Sequence, residues 1–286
     1  MRIRLFIVFA LVLGCNHERT TKEIFSNGKA SGEVSKRLKE ASGLAASAAN
    51  PGLLWTLNDS GNSAEVFLID EEANVRLVCK LANAINRDWE DIAVGPGPRP
   101  ETNYVYVADI GDNDEKFGLK FIYRFEEPVL GLETEITITR YDTLVLRLPD
   151  AMRDTEALLL DPVTRDLFLV SKRENKAGVY RAASPGSHDT VTLDRILNLP
   201  MTQIVAGSIS ADGREILLKS YDHVYYWKKS GDESVAALLG KDPIELPYDR
   251  EPMGEAIAWS RDGSAYYTLG ESKGHRASLM KYKRNQ

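Results

Sequence analysis

Asp88-Trp-Glu-Asp-Ile-Ala-Val94, a Gly/Pro-rich turn, Tyr104-Val-Tyr-Val-Ala-Asp109 and then Ile110-Gly-Asp-Asn113 decide how this chain is read. Two apolar β runs are joined by a turn and bracketed by acids. Antiparallel strands joined by a turn return to one edge, so a leading Glu90 and a trailing Asp109 share a rim. The same unit stands earlier. Glu40-Ala-Ser-Gly-Leu-Ala-Ala46 is followed by a turn, Leu53-Leu-Trp-Thr-Leu-Asn58-Asp59 and Ser-Gly-Asn62. Nineteen residues separate Glu40 from Asp59 and Glu90 from Asp109, which suggests an internal repeat.

Three further units complete the series. One opens at Glu156 (ALLLDP, DLFLVSK, GVYRA, TVTLDRILNLP), one near Val205 (AGSISADG, EILLKSY, HVYYWKK, VAALLGKDPIELP) and one at Glu255 (AIAWSRDG, AYYTLGE, ASLMKYK). Nearly every segment is a short run rich in Val, Ile, Leu and Tyr between Gly, Pro, Asp and Asn, and no stretch of helical period exceeds a couple of turns. Four strands per unit at roughly 50-residue spacing predict an all-β chain folded as a β-propeller. The count favours five four-stranded blades. Six follow if the tail of the second unit, residues 128–149, is a degenerate blade. The last unit shows three strands, and residues 33–38 are expected to supply the fourth and close the ring, which removes exposed sheet edges. Residues 33–286 then form a single domain.

The N-terminus is of another kind. Arg2 and Arg4 precede an apolar run from Leu5 to Leu13, followed by Gly14-Cys15. The run is too short for a membrane span, which needs about 20 apolar residues, and reads as an export signal. Ending on Gly-Cys, residues 1–15 resemble a bacterial lipoprotein signal, which implies lipidation of Cys15. The alternative is an ordinary cleaved signal. Asn16 leans toward the outer membrane if the cell is Gram-negative. Polar residues 16–32 suit a tether between anchor and domain. Loss of residues 1–14 removes two Arg and takes the net charge from −6 to −8, which disfavours nucleic acid. Only Cys79 remains besides Cys15, so no disulfide framework forms and Cys79 reads as a small buried hydrophobe.

First strands of propeller blades line the central channel, so Glu40, Glu90, Glu156 and Glu255 are expected to ring one mouth. Asp59, Asp109 and Glu271 end second strands on the same rim, with Asn58, Asp112 and Asn113 nearby. Oxygen ligands in flexible number suit Ca²⁺. The metal-ligand set read from this pattern is Glu40, Asp59, Glu90, Asp109, Glu156 and Glu255. Asn58, Trp89, Asp112, Asn113, Lys172, Lys219 and Glu271 form a candidate ligand-binding set. Lys172, Arg173 and Lys219 could instead pair with the leading glutamates in a closed salt-bridge ring that needs no metal. The loop at 109–113 reads equally as a cation wrap or an Asx-turn. Trp89 reads as interblade packing, with a stacking platform at the mouth as the other role. The Asp-Gly pairs at 212–213 and 262–263 read as hairpin turns. His17, His188, His223 and His275 are scattered, against zinc, and no nucleophile elbow, phosphate loop or dinucleotide fingerprint is present.

At Glu40-Ala-Ser-Gly-Leu, Trp55-Thr-Leu-Asn-Asp-Ser-Gly-Asn62, Asp88-Trp-Glu-Asp-Ile-Ala, Asp109-Ile-Gly-Asp-Asn, Ser210-Ala-Asp-Gly-Arg and Gly254-Glu-Ala-Ile-Ala, the chain resembles a group of uncharacterised exported bacterial β-propellers. More distantly it is similar to phytase-like and regucalcin-like propellers. That resemblance implies acids around the channel that bind Ca²⁺ or another divalent ion for hydrolysis. The expected protein is a lipid-anchored, monomeric binding or scaffold module of the cell envelope, partnered by an unnamed small molecule or protein. The alternatives are a metal-dependent hydrolase of phosphoesters, lactones or esters, and a purely structural surface protein.

Overall fold

The computed structural model describes residues 24–272 and 277–285. The signal, Cys15, His17 and His275 lie outside the described residues. Strand β1 (Lys29–Glu33) belongs to the last blade. Blade 1 is an antiparallel sheet of β2 (Ala41–Ala46), β3 (Leu54–Asn58), β4 (Glu65–Ile69) and β5 (Val75–Leu81). Blade 2 takes β6 (Trp89–Pro96), β7 (Asn103–Asp109), β8 (Lys120–Glu126) and β10 (Asp142–Arg147), while β9 (Glu135–Ile138) crosses to pair parallel with β5. Blade 3 takes β11 (Thr155–Leu160), β12 (Leu167–Ser171), β13 (Gly178–Ala182) and β15 (Asp194–Asn198), while β14 (Thr190–Thr192) pairs parallel with β10 of blade 2. Blade 4 is β16 (Ile204–Ile209), β17 (Glu215–Ser220), β18 (Val224–Lys228) and, after helix α1 (Val235–Leu239), β19 (Ile244–Leu246). Blade 5 is β20 (Gly254–Trp259), β21 (Ala265–Gly270) and β22 (Ser278–Lys283), completed by β1.

Five blades are therefore present, and the 128–149 tail is no sixth one. Its first half extends blade 1 and its second half is the outer strand of blade 2. The run read as a strand at 235–239 is a short helix, because Ser234 caps it by accepting from the Ala237 amide and its apolar face is covered. Val235, Leu238 and Leu239 bury against Phe168, Val170 and Trp227 between blades 3 and 4.

Ring closure also differs from expectation. The closing strand is Lys29–Glu33, not 33–38. Gly32 explains the choice, since a Cβ there would sit 1.9 Å from the Glu72 carbonyl. Val34 and Leu38 turn into the core between blades 5 and 1 instead. The domain begins earlier than residue 33. Phe25 is fully buried against Tyr226, Trp259 and Tyr266 and bridges to Arg284. Residues 24–32 thus belong to the propeller and not to the tether.

Among the described residues the apolar core divides into five clusters, one at each interface between neighbouring blades. That distribution is what a closed ring requires. Leu, Val, Phe and Trp alternate to both faces of each sheet because each blade is sandwiched between two others. Cys79 is one of these buried residues, its thiol pushed up to about 12 by burial. Two links reinforce the ring. Glu127 accepts from Ser47 Oγ (2.6 Å), the Ala48 and Ala49 amides and Trp55 Nε1 (2.8 Å), joining blade 2 to blade 1. Asp91, fully buried on the axis, accepts the Leu158 amide at 2.9 Å and the Gly207 amide at 3.2 Å, joining inner strands of blades 2, 3 and 4.

Candidate metal centre

Each inner strand breaks register once, at the same level. The pairing skips Ser42 in blade 1, Glu90 in blade 2, Glu156 in blade 3, Val205 in blade 4 and Glu255 in blade 5. A bulge residue has no partner across the ladder and is re-aimed, a device common beside binding sites. Glu90, Glu156 and Glu255 owe their placement to it.

The bulges also correct the alignment of the first unit. Glu40 is not the counterpart of Glu90; Ser42 is, and its hydroxyl donates to the Trp89 carbonyl at 3.0 Å. The equal spacing from Glu40 to Asp59 and Glu90 to Asp109 arises because the first hairpin is shorter. In register, Glu40 matches Asp88 and Asp154, two residues before the bulge. Glu40 stands half-buried on the rim, where Asn62 Nδ2 donates to it at 2.6 Å. Asp109 matches Asn58, and Asp59 matches Lys172, Tyr221 and Glu271.

What converges on one side of the mouth is Asp59, Asp88 and Glu90, with one oxygen from each within 4.8 Å of the others. Asp88 is the member that motif spacing missed. Like charges crowded out of water raise one another's pKa. The Asp88 carboxyl is pushed up to about 6 by burial and the Asp59 charge. Glu90 is held well above the usual range by burial, then by Glu156, Asp59 and Asp88. Neither Asp88 nor Glu90 has an ion-pair partner among the described residues. Gly111 gives the group its room: a Cβ there would meet Glu90 Oε1 at 2.1 Å and Asp88 Oδ2 at 2.5 Å.

The other side of the mouth is neutralised by protein groups. Lys172 Nζ lies 2.6 Å from Glu156 Oε1 and over the Tyr221 ring, and Tyr221 donates to Glu255 Oε1 at 2.5 Å. Burial would depress Lys172, but Glu156 outweighs it and holds the ammonium charged. Burial pushes Glu156 and Glu255 upward against these partners. Lys219 lies one step deeper than Lys172, donating to the Gly254 and Ser220 carbonyls beneath the Tyr248 ring, with its pKa lowered to about 8 by burial. The salt-bridge ring is thus half present.

The remaining sequence candidates fall outside the acidic group. Asp109 accepts from the Asp88 amide at 3.2 Å and pairs with Arg87 at 3.3 Å. Asp112 accepts from the Lys116 and Phe117 amides and lies 3.5 Å from the buried Lys120 ammonium, so its carboxylate is occupied within its own loop and blade. Asn113 receives Arg173, which also pairs with Asp154 at 2.7 Å. Asn58 joins the Glu40 amide to the Arg37 carbonyl. Trp89 is fully buried between blades 1 and 2 and offers no stacking platform. Glu271 is buried where β21 ends.

No family model matches the chain, and no curated protein matches it. Among solved structures, similar folds include U3-55K (11% identity, 84% of this chain and 80% of that one, TM-score 0.43), the Dos1 propeller (10%, 90% and 95%, 0.39) and a nidogen/laminin complex (9%, 80% and 72%, 0.44). Likenesses this distant say nothing about function, and the five-bladed ring rests on the strand pairing itself.

Proposed function

We propose that this protein is a binding module that holds a divalent cation, Ca²⁺ by preference, at its acidic mouth and is anchored to the cell envelope through Cys15. The observation that carries the reading is the convergence of Asp59, Asp88 and Glu90. Three carboxylates with no Lys or Arg paired to Asp88 or Glu90 match a hard cation that takes oxygen ligands in flexible geometry. Asn62 on the rim and water would complete the shell. A ring pinned by Lys172 and Tyr221 on its other side keeps the group rigid.

Calcium titration followed by thermal unfolding tests this. Ligand at a hundred times Kd adds about 2.7 kcal/mol, which for a chain of this size raises Tm by roughly 5–10 °C. Glu90→Gln should abolish the shift. A melting point indifferent to millimolar Ca²⁺ would overturn the reading. Hydrolysis of a phosphoester, lactone or ester at the same place is the second reading. Its support is that Glu156, raised by burial and held 2.6 Å from Lys172, stands across the mouth from the cation ligands, where a carboxyl–ammonium pair can exchange a proton with a bound substrate. Turnover lost in Glu156→Gln with Ca²⁺ stabilisation retained would favour it over a binder.

A further inference from the structure

Where the inner strands end, the far mouth of the channel opens on an axial cavity of about 240 Å³. Outward from it, between blades 2 and 3, lies a second hollow of about 200 Å³. Three loops of that face border it: Gly97 and Pro98 after β6, Arg165 in the β11–β12 turn, and Ser184 to Gly186 after β13. The buried side chains of Tyr106, Arg124 and Leu167 complete the lining. Among the described residues no carboxylate lines this hollow, and two arginines do.

Arg124 is 7% exposed and fixed in place. Its guanidinium lies 5.9 and 5.8 Å from the centres of the Tyr104 and Tyr106 rings. Nε and Nη2 both donate to Asp142 Oδ2, at 3.0 and 2.6 Å, which leaves Nη1 without a carboxylate. Arg165, on the lip, is exposed and pairs with no acid among the described residues; its Nη1 donates to the Gly97 carbonyl at 3.4 Å. The acids of the neighbouring turn are engaged. Asp161 accepts the Val163 amide at 2.9 Å, and Asp166 accepts Arg181 Nε at 2.6 Å and the Ser184 amide at 3.1 Å. Both lip residues, Arg165 (φ 65°) and Ser184 (φ 37°), hold a left-handed backbone that non-glycine residues adopt at a cost, so their surroundings fix them. Burial raises the Tyr106 phenol, while the charges of Arg124 and Arg165 both pull it the other way, which sets the two guanidiniums around one hydroxyl. Guanidinium donates in a planar fork, and two forks from different residues suit the several oxygens of a tetrahedral phosphoryl group better than one flat carboxylate.

We propose that this hollow binds a phosphoryl group, as the free ion or as a small phosphomonoester, held between Arg124 and Arg165 with the Ser184 hydroxyl at the lip. The site stands on the face opposite Asp59, Asp88 and Glu90, so its occupancy does not depend on the cation.

Calorimetric titration of the full chain in EDTA tests this, with inorganic phosphate, glycerol 3-phosphate and acetate as probes. Saturable one-to-one binding of phosphate or glycerol 3-phosphate is expected, and the tighter of the two names the source. Acetate should bind clearly more weakly than either. Loss of one charge-assisted hydrogen bond implies that Arg165→Gln weakens binding about 10- to 100-fold. Arg165→Lys, which keeps the charge without the fork, should fall between. Neither change removes an ion pair, so the melting point should hold. Arg99→Gln, on a neighbouring turn and paired with Glu126, should leave the affinity unchanged. Absence of saturable binding by both phosphates overturns the proposal. So does equal affinity for phosphate and acetate, equal affinity of wild type and Arg165→Gln, or a loss in Arg99→Gln as large as in Arg165→Gln.

Discussion

The two mouths of one channel are made by the same five strands and share almost no chemistry. At the end where inner strands begin, each strand is bulged and three bulge residues are glutamates. At the end where they finish, pairing is regular and the lining is small and aliphatic residues with Ser208, Ser210, Ser260 and one arginine, and no acid. A bulge turns a side chain toward the axis at the cost of one ladder position, so polar function concentrates where the register breaks. Asp91 marks the border between the ends. It comes immediately after the bulge residue Glu90, and it spends its carboxylate on amides of blades 3 and 4 instead of on a ligand.

The largest expected effect comes from removing that border. Asp91→Ala leaves the Leu158 and Gly207 amides buried without acceptors, at a cost of roughly 3–5 kcal/mol. Urea melts should show the loss, and Asp91→Asn, which keeps one acceptor oxygen, should lose clearly less. Equal stability of Asp91→Ala and wild type would mean the two mouths are not divided there. Next in size is Gly111→Ala. Its Cβ would collide with the movable ends of Glu90 and Asp88, not with backbone, so the fold survives while the carboxylates are displaced. The Ca²⁺-dependent rise in Tm should vanish, with the melting point in EDTA within a few degrees of wild type.

How much of this was legible from residues alone depends on which periodicity carried it. Blade count and strand content follow from in-phase β runs, and Gly213 (φ 72°) and Gly263 (φ 70°) close the turns that their Asp-Gly pairs announced. Strand exchange between blades was not legible, because Glu135–Ile138 and Thr190–Thr192 look like ordinary outer strands until a neighbour's edge claims them. Phe25 lay hidden in a polar segment. The acid group was half legible. Glu90 and Asp59 stood out, but equal spacing made Glu40 look like Glu90's equivalent, when a shorter hairpin and a bulge at Ser42 had shifted the frame by two. Once the bulge is known, Asp88 follows as the residue in Glu40's true register. Asp-Trp-Glu-Asp carried that signal as two acids flanking a buried Trp.

The smallest effect concerns protons at the acidic end. Both Glu251 carboxylate oxygens are buried without a hydrogen-bond partner in the described structure, and burial raises this carboxyl to about 7 against the Lys219 charge. A carboxyl whose folded pKa exceeds its unfolded one binds its proton more tightly when folded. Its stabilisation is complete below the ordinary glutamate pKa and is lost as pH rises through about 7. Lys219, lowered to about 8, acts with the opposite slope and only above that value. Between pH 5 and 7.5 in EDTA, wild type should therefore lose stability as pH rises. Asp88, raised to about 6, contributes with the same sign. Glu251→Gln should flatten the slope by on the order of 1 kcal/mol, read from urea midpoints at the two pH values. Arg261→Gln, at the far mouth where this exposed arginine borders the axial cavity, should leave it unchanged, since no acid lines that mouth. A slope altered equally by both substitutions would show that the two mouths share a field that the buried plug fails to separate.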